Sequence, residues 1–176
     1  MNIPGLGEVK KDKRFGWYYS HPLPLKMFMG KECSIVIEGY DEDLAREDYH
    51  STIAAFLTAS PTVLRNAEGF IFQYYQDMNK FWKPSDSEFL FIESPKDVWK
   101  HVQLGAQPII SRRGYGNKGM YVSIECNCDW EPEHGLQLVF KDGVSVCKVG
   151  PYDGHLTNSD AYADPSLENV VYRAIA

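Results

Sequence analysis

A chain of 176 residues with a formal net charge of −6 and a pI near 5.3 has room for one domain of ordinary size. Its acidic balance excludes sequence-independent binding to phosphate backbones, which needs clustered lysine and arginine, so no nucleic acid is expected as a partner. No apolar run reaches the roughly 18 residues of a membrane span, and the opening MNIPGLGEVKKDKRFGWYY lacks the apolar stretch of a signal peptide. A cytoplasmic protein is therefore expected, with Cys33, Cys126, Cys128 and Cys147 as reduced thiols.

Residues 1–13 read as a flexible, polar lead-in and residues 14–176 as a single domain. Leu23 to Met29 and Glu32 to Ile37 suit two strands turned at Met29-Gly30-Lys31, with Cys33, Ile35 and Ile37 alternating onto one buried face. Tyr49, Ile53, Phe56 and Leu57 recur at helical spacing, behind Asp41, Glu42 and Asp43, whose charges favour a helix N-terminus. Ser60-Pro61 opens a second helix, whose apolar positions run from Val63 through Tyr74, Tyr75 and Phe81 to Trp82, until Pro84 ends it. Glu88 to Ile92 predicts a short strand. Ser94-Pro95-Lys96-Asp97 predicts a capped short helix carrying Val98, Trp99 and Val102.

Pro108 to Ser111 and Met120 to Glu125 read as paired strands. Gly135 to Phe140 and Val144 to Val149 form a hairpin around Lys141-Asp142-Gly143. Asp164-Pro165 starts a last helix with Leu167, Val170, Val171 and Ala174 on its apolar face. Strands that cluster late, with short joins, predict an α+β domain: a mostly antiparallel sheet with two central helices and short additional ones.

Gly114-Tyr-Gly116-Asn-Lys-Gly119 spells G-x-G-x-x-G, but a strand follows it where a dinucleotide site needs a helix, so it reads as a loop flanked by Arg112, Arg113 and Lys118. The densest chemistry lies between Val122 and Leu156. Cys126 and Cys128 share one face of an extended segment, and with His134 and His155 they would make a tetrahedral zinc set, although C-x-C is an unusual spacing. Glu131, Glu133 and His134 sit together, and Asp153 and His155 lie a hairpin away; such carboxylate–histidine pairs can do acid–base work. No nucleophile elbow, H-E-x-x-H or Walker loop accompanies them. Trp130, with Leu136, Leu138 and Phe140, suits the core. Tyr152, Asp153, His155, Asp160 and Tyr162 belong to a polar, aromatic loop of the kind used in protein recognition.

The block I-E-C-N-C-D-W-E-P-E-H-G-L-Q-L-V-F-K-D-G, followed by V-G-P-Y-D-G-H-L, resembles an uncharacterised bacterial family with a C-x-C-x-W-E-x-E-H-G-L-x-x-V-F block and a downstream D-G-H. Ile92 to Val102 and Ser111 to Arg113 extend the likeness, which covers roughly Glu32 to Arg173. The resemblance carries no activity. It implies a small cytoplasmic protein that binds another protein, and similar E-H-G-L blocks occur in small bacterial proteins of toxin–immunity neighbourhoods.

The leading expectation is a non-enzymatic protein-binding module with no cofactor, its acidic face meeting a basic partner such as a toxin. Asp129, Glu131, Glu133, Asp153 and Asp160 would supply charge, with Trp130, Tyr152 and His155 at the contact. Two alternatives stay open: a metal-dependent or acid–base hydrolase using His134, His155, Asp153, Glu131 and Glu133, and a structural zinc domain using Cys126, Cys128, His134 and His155. Exposed aromatics equally suit a homodimer.

Overall fold

Alternating side chains along one nine-residue strand divide the molecule into two layers. In the computed structural model, which describes residues 1–175, the strands in chain order are β1 (Asn2–Ile3), β2 (Gly7–Lys11), β3 (Tyr18–Ser20), β4 (Leu23–Leu25), β5 (Lys31–Cys33) and β6 (Val36–Ile37). Helices α1 (Arg46–Thr58), α2 (Pro61–Arg65) and α3 (Glu68–Asn79) follow. Then come β7 (Val102–Leu104), β8 (Ile109–Arg112), β9 (Met120–Cys128), β10 (Leu136–Lys141), β11 (Ser145–Gly150) and α4 (Asn158–Tyr162). The main sheet has the order β1-β2-β3-β6-β8-β9-β10-β11, with β7 also pairing β9, and β4–β5 form a separate hairpin. Only β6 and β8 run parallel, which makes this an α+β domain on a mostly antiparallel sheet.

Side chains alternate along β9 because a strand has period two. Met120, Val122, Ile124, Cys126 and Cys128 point into the core, together with Ile110 of β8 and Leu136, Leu138 and Phe140 of β10. Against this face pack Tyr49, Ile53 and Phe56 of α1 and Ile71, Tyr74 and Tyr75 of α3. Each such buried side chain contributes roughly 1.5–3 kcal/mol, so this layer is the main source of stability. The opposite face carries Val36, Ile109, Ser111, Ser123 and Glu125. Residues 152–172 wrap from that face around the β11 edge. Asn158 Nδ2 donates to Val170 O (2.8 Å), Val149 N donates to Val171 O (2.8 Å), and Tyr172 Oη donates to Asp77 Oδ2 (2.7 Å) on α3. The free edge of β11 is thereby covered.

Several expected elements form. The β4–β5 hairpin pairs Leu25 with Lys31, Cys33, Ile35 and Ile37 are all buried, and Asp142 and Gly143 make the β10–β11 turn at φ 51° and 81°. Other elements differ. The expected loose lead-in is paired as β1 and β2, with Ile3, Leu6 and Val9 buried beneath its polar residues. The second helix breaks at Asn66–Ala67 into α2 and α3 and stops at Asn79; Asn66 and Gly69, weak helix formers, flank the break. Phe81 and Trp82 are consequently exposed. Glu88 to Ile92 is not a strand. Tyr75 Oη donates to Leu90 O (2.8 Å) and accepts from Ile92 N (3.0 Å), so a helix side chain replaces a ladder for those backbone groups.

Pro95–Lys100 is a 3₁₀ helix, and Val102 belongs to β7. The last expected helix is a 3₁₀ turn at Pro165–Leu167, capped by Asp164 as expected, whereas the recognition loop contains α4, capped by Thr157. Among the described residues no helix is long and apolar enough to cross a membrane.

Candidate functional site

The cluster from Cys126 to Asp160 is mostly consumed by the fold. Glu131 closes the turn between β9 and β10: its Oε1 accepts from Glu133 N (3.0 Å) and His134 N (3.3 Å), and its Oε2 faces His134 Nδ1 (3.2 Å). Glu131, Glu133 and His134 are the single group of three metal-ligating types gathered within 4.8 Å among the described residues. Cys126, Cys128 and His155 do not join it, so the expected zinc set does not assemble. Asp153 and His155 form their own pair (3.3 Å), and Asp153 also accepts from the buried ammonium of Lys148. The two histidine–carboxylate pairs therefore stay apart.

Trp130 is buried edge-on against Tyr74 and Tyr75, at centroid distances of 6.0 and 6.1 Å, in the core and not at a contact surface. Asp129 pairs with His101 (3.0 Å). Asp160 is held by Arg113, through Nε–Oδ2 and Nη2–Oδ1 contacts of 2.7 Å each. Of the basic residues flanking the glycine loop, Arg113 is buried, and Arg112 is ion-paired to Asp43 (2.5 Å) and Asp48 (2.7 Å). Of the residues expected to bind a partner, Tyr152 alone lines the groove described next.

Two cavities, of about 570 and 350 Å³, meet on the sheet face opposite the main core, the larger one also reaching Tyr49 of α1. They share Trp17, Ile109, Ser123 and Tyr152, and so form one groove with two lobes. Its floor follows from cross-strand register: Tyr19 pairs Val36, Val36 pairs Ile109, and Ile109 pairs Ser123 across four neighbouring strands. Trp17 enters from the β2–β3 connection and Tyr152 from the segment after β11. The larger lobe adds Glu38, Glu42, Asp43 and Arg112; the smaller adds Glu125, Gln103, Gln107 and Asn127.

The groove is acidic in function as well as composition. Its one lysine or arginine, Arg112, is spent on Asp43, Asp48 and the carbonyls of Lys118 and Ala45. That leaves Glu38, Glu42 and Glu125 with no ion-pair partner among the described residues. Burial pushes the Glu38 carboxyl above the ordinary carboxylate range. The Tyr152 hydroxyl is also pushed up, first by burial and then by Glu125, Asp153 and Glu38 around it.

Behind the groove, Gln137 Nε2 donates to Ser123 Oγ (2.9 Å) and Lys148 Nζ donates to Gln137 Oε1 (2.9 Å), so a buried polar chain stiffens the floor and ties down the Tyr152 segment. One sign of the groove was present in the sequence. Ser123, Glu125 and Asn127 alternate with apolar residues on a strand that is otherwise buried. Trp17 and Glu38 carry no local sign, since distant pairing brings them here.

The thiols are inert by environment. Burial raises Cys33, and it pushes Cys126, Cys128 and Cys147 up to about 12. At pH 8 a thiol of pKa 12 is ionised roughly once in ten thousand molecules. A disulfide reagent should therefore leave the native thiols unreacted for the time in which it titrates all four in urea; a full equivalent reacting at once would contradict this burial.

Fold and groove together define a small α+β domain that presents an acidic, aromatic trough on its open sheet face. The chain belongs to the family described as Domain of unknown function (DUF6985), which it matches over residues 5–156, a span that includes every residue lining the groove. No curated protein matches the chain, and no solved structure does.

Proposed function

We propose that this protein is a non-enzymatic protein-binding module whose sheet-face groove receives a basic region of its partner. One observation carries the reading: Glu38, Glu42 and Glu125 face a cavity that offers them no cation. A lysine or arginine from outside would supply the missing charge, and Trp17 and Tyr152 would add contact area at low entropic cost. The non-enzymatic side of the reading is supported by Ser123 Oγ, which is engaged by Gln137, and by the Glu131–His134 and Asp153–His155 pairs, which lie outside the lining. Neutralisation of a basic toxin is the narrower form of this reading.

The test compares wild type with the double variant Glu38→Lys, Glu125→Lys. Wild type should capture a basic partner with an association rate that falls steeply with salt. The double variant should lose capture while keeping its melting temperature. Capture that survives the reversal, or a preference for acidic partners, would sink the proposal. For the narrower form, expression should rescue growth against a neighbouring-gene toxin, and the double variant should not.

A further inference from the structure

The two lobes define more than a sign of charge. Glu38 stands beside Ser111, because Ile37 pairs Ile110 in parallel and Glu38 N donates to Ile110 O (3.0 Å). Ser111 in turn pairs Tyr121, which lies four residues before Glu125 on β9. At the strand rise, Glu38 and Glu125 are offset by roughly 13 Å along the strands and by two strand spacings, roughly 10 Å, across them. Between them, at the waist shared by both lobes, lie the apolar floor residue Ile109 and the rings of Trp17 and Tyr152.

We propose that the groove reads an extended partner segment of the form basic–any–apolar–any–basic, one cation seated at Glu38, the other at Glu125, and the apolar residue between Trp17 and Tyr152. This rests on the basic-partner reading above and adds its spacing. In an extended chain, residues i, i+2 and i+4 share a face. Positions i and i+2 lie only about 7 Å apart and cannot reach both carboxylates. Positions i and i+4 lie roughly 13 Å apart and i and i+6 roughly 20 Å, so long basic side chains bring either pair to the diagonal of about 16 Å, but only the i/i+4 pair has its midpoint, i+2, on the face of the two cations. Spacings of three and five turn the second cation to the opposite face. The middle residue, i+2, falls at the waist, where the floor is Ile109 beside Ser123, whose hydroxyl is already engaged by Gln137.

A pool of synthetic nonapeptides, each with a central leucine or serine and two arginines placed two to six residues apart, tests this on the immobilised full chain at low salt. Peptides with arginines four apart and leucine midway should be retained at least tenfold over all other spacings. Glu38→Gln or Glu125→Gln should each reduce retention tenfold or more and erase the spacing preference, with unchanged melting temperature. Trp17→Ala should erase the preference for leucine over serine at the centre. Equal retention of all spacings would overturn this inference while leaving the basic-partner reading standing. Failure to retain any arginine peptide over uncharged controls would overturn both.

Discussion

Replacing Arg113 with methionine will cost the fold about 3–5 kcal/mol, the range for breaking a buried charge pair by removing one partner. Its guanidinium is only 3% exposed and is clamped from two directions. Asp160 takes Nε and Nη2 at 2.7 Å each, while Glu168 takes Nη1 at 2.5 Å and Nη2 at 2.9 Å. Both carboxylates come from the segment that wraps the second sheet face, so the arginine fastens that segment to β8. Methionine fills the volume but leaves two carboxylates facing each other without a cation. Urea unfolding at pH 7 measures the loss directly. A change under 1 kcal/mol would mean that water reaches both carboxylates and that the clamp is dispensable.

The same clamp sets a pH signature. Hydrogen bonds from Arg113 hold the Asp160 and Glu168 carboxyls below their ordinary values. The folded chain therefore binds these protons less tightly than the unfolded chain. Their stabilisation is complete above about pH 5 and is lost as pH falls through the range below about 4. In Arg113→Met the sign reverses: unpaired neighbouring carboxylates take up protons more readily when folded, so the deficit against wild type should narrow as pH falls from 7 to 4. A deficit constant across that range would assign the loss to packing and not to charge.

What was legible in the sequence was whatever repeats over a short distance. Tyr49, Ile53 and Phe56 announced α1, and the alternation at Cys33, Ile35 and Ile37 announced a buried face, because these patterns need only local period. Phe81 and Trp82 continued a helical pattern past Asn79, where the helix ends, so period alone gave them a false place in the core. Glu88 to Ile92 looked like a strand because its backbone partner, the Tyr75 hydroxyl, is a side chain far back in sequence. The groove was harder still. Trp17, Glu38, Glu125 and Tyr152 come from four separated segments, and the parallel β6–β8 crossover that gathers three of them leaves no periodic trace. The acidic block after β9 was visible, but its carboxylates answer to internal partners, and which charges are already spoken for depends on contacts between distant segments.

That block makes the second large prediction. Gly135→Ala should destabilise the protein by about 2–4 kcal/mol, combining the cost of a left-handed backbone with that of overpacking. Gly135 sits at φ +63°, and a Cβ there would lie 2.4 Å from the carbonyl oxygen of Cys126. Neither strand can yield, since Leu136 pairs Cys126 in the ladder and both are buried. The Gly135 carbonyl also accepts from the buried Tyr74 hydroxyl (3.1 Å), so a shift of the turn would strand a polar group on α3. The run from Cys126 to Leu136 is thus a strand, a carboxylate-closed turn and a glycine with no room, all serving the core. If Gly135→Ala unfolds in urea within 0.5 kcal/mol of wild type, the turn is adaptable, and Glu131, Glu133 and His134 regain their standing as a site. If the loss is as large as expected, with peptide retention by the folded fraction unchanged, the block is structural and recognition belongs to the opposite sheet face.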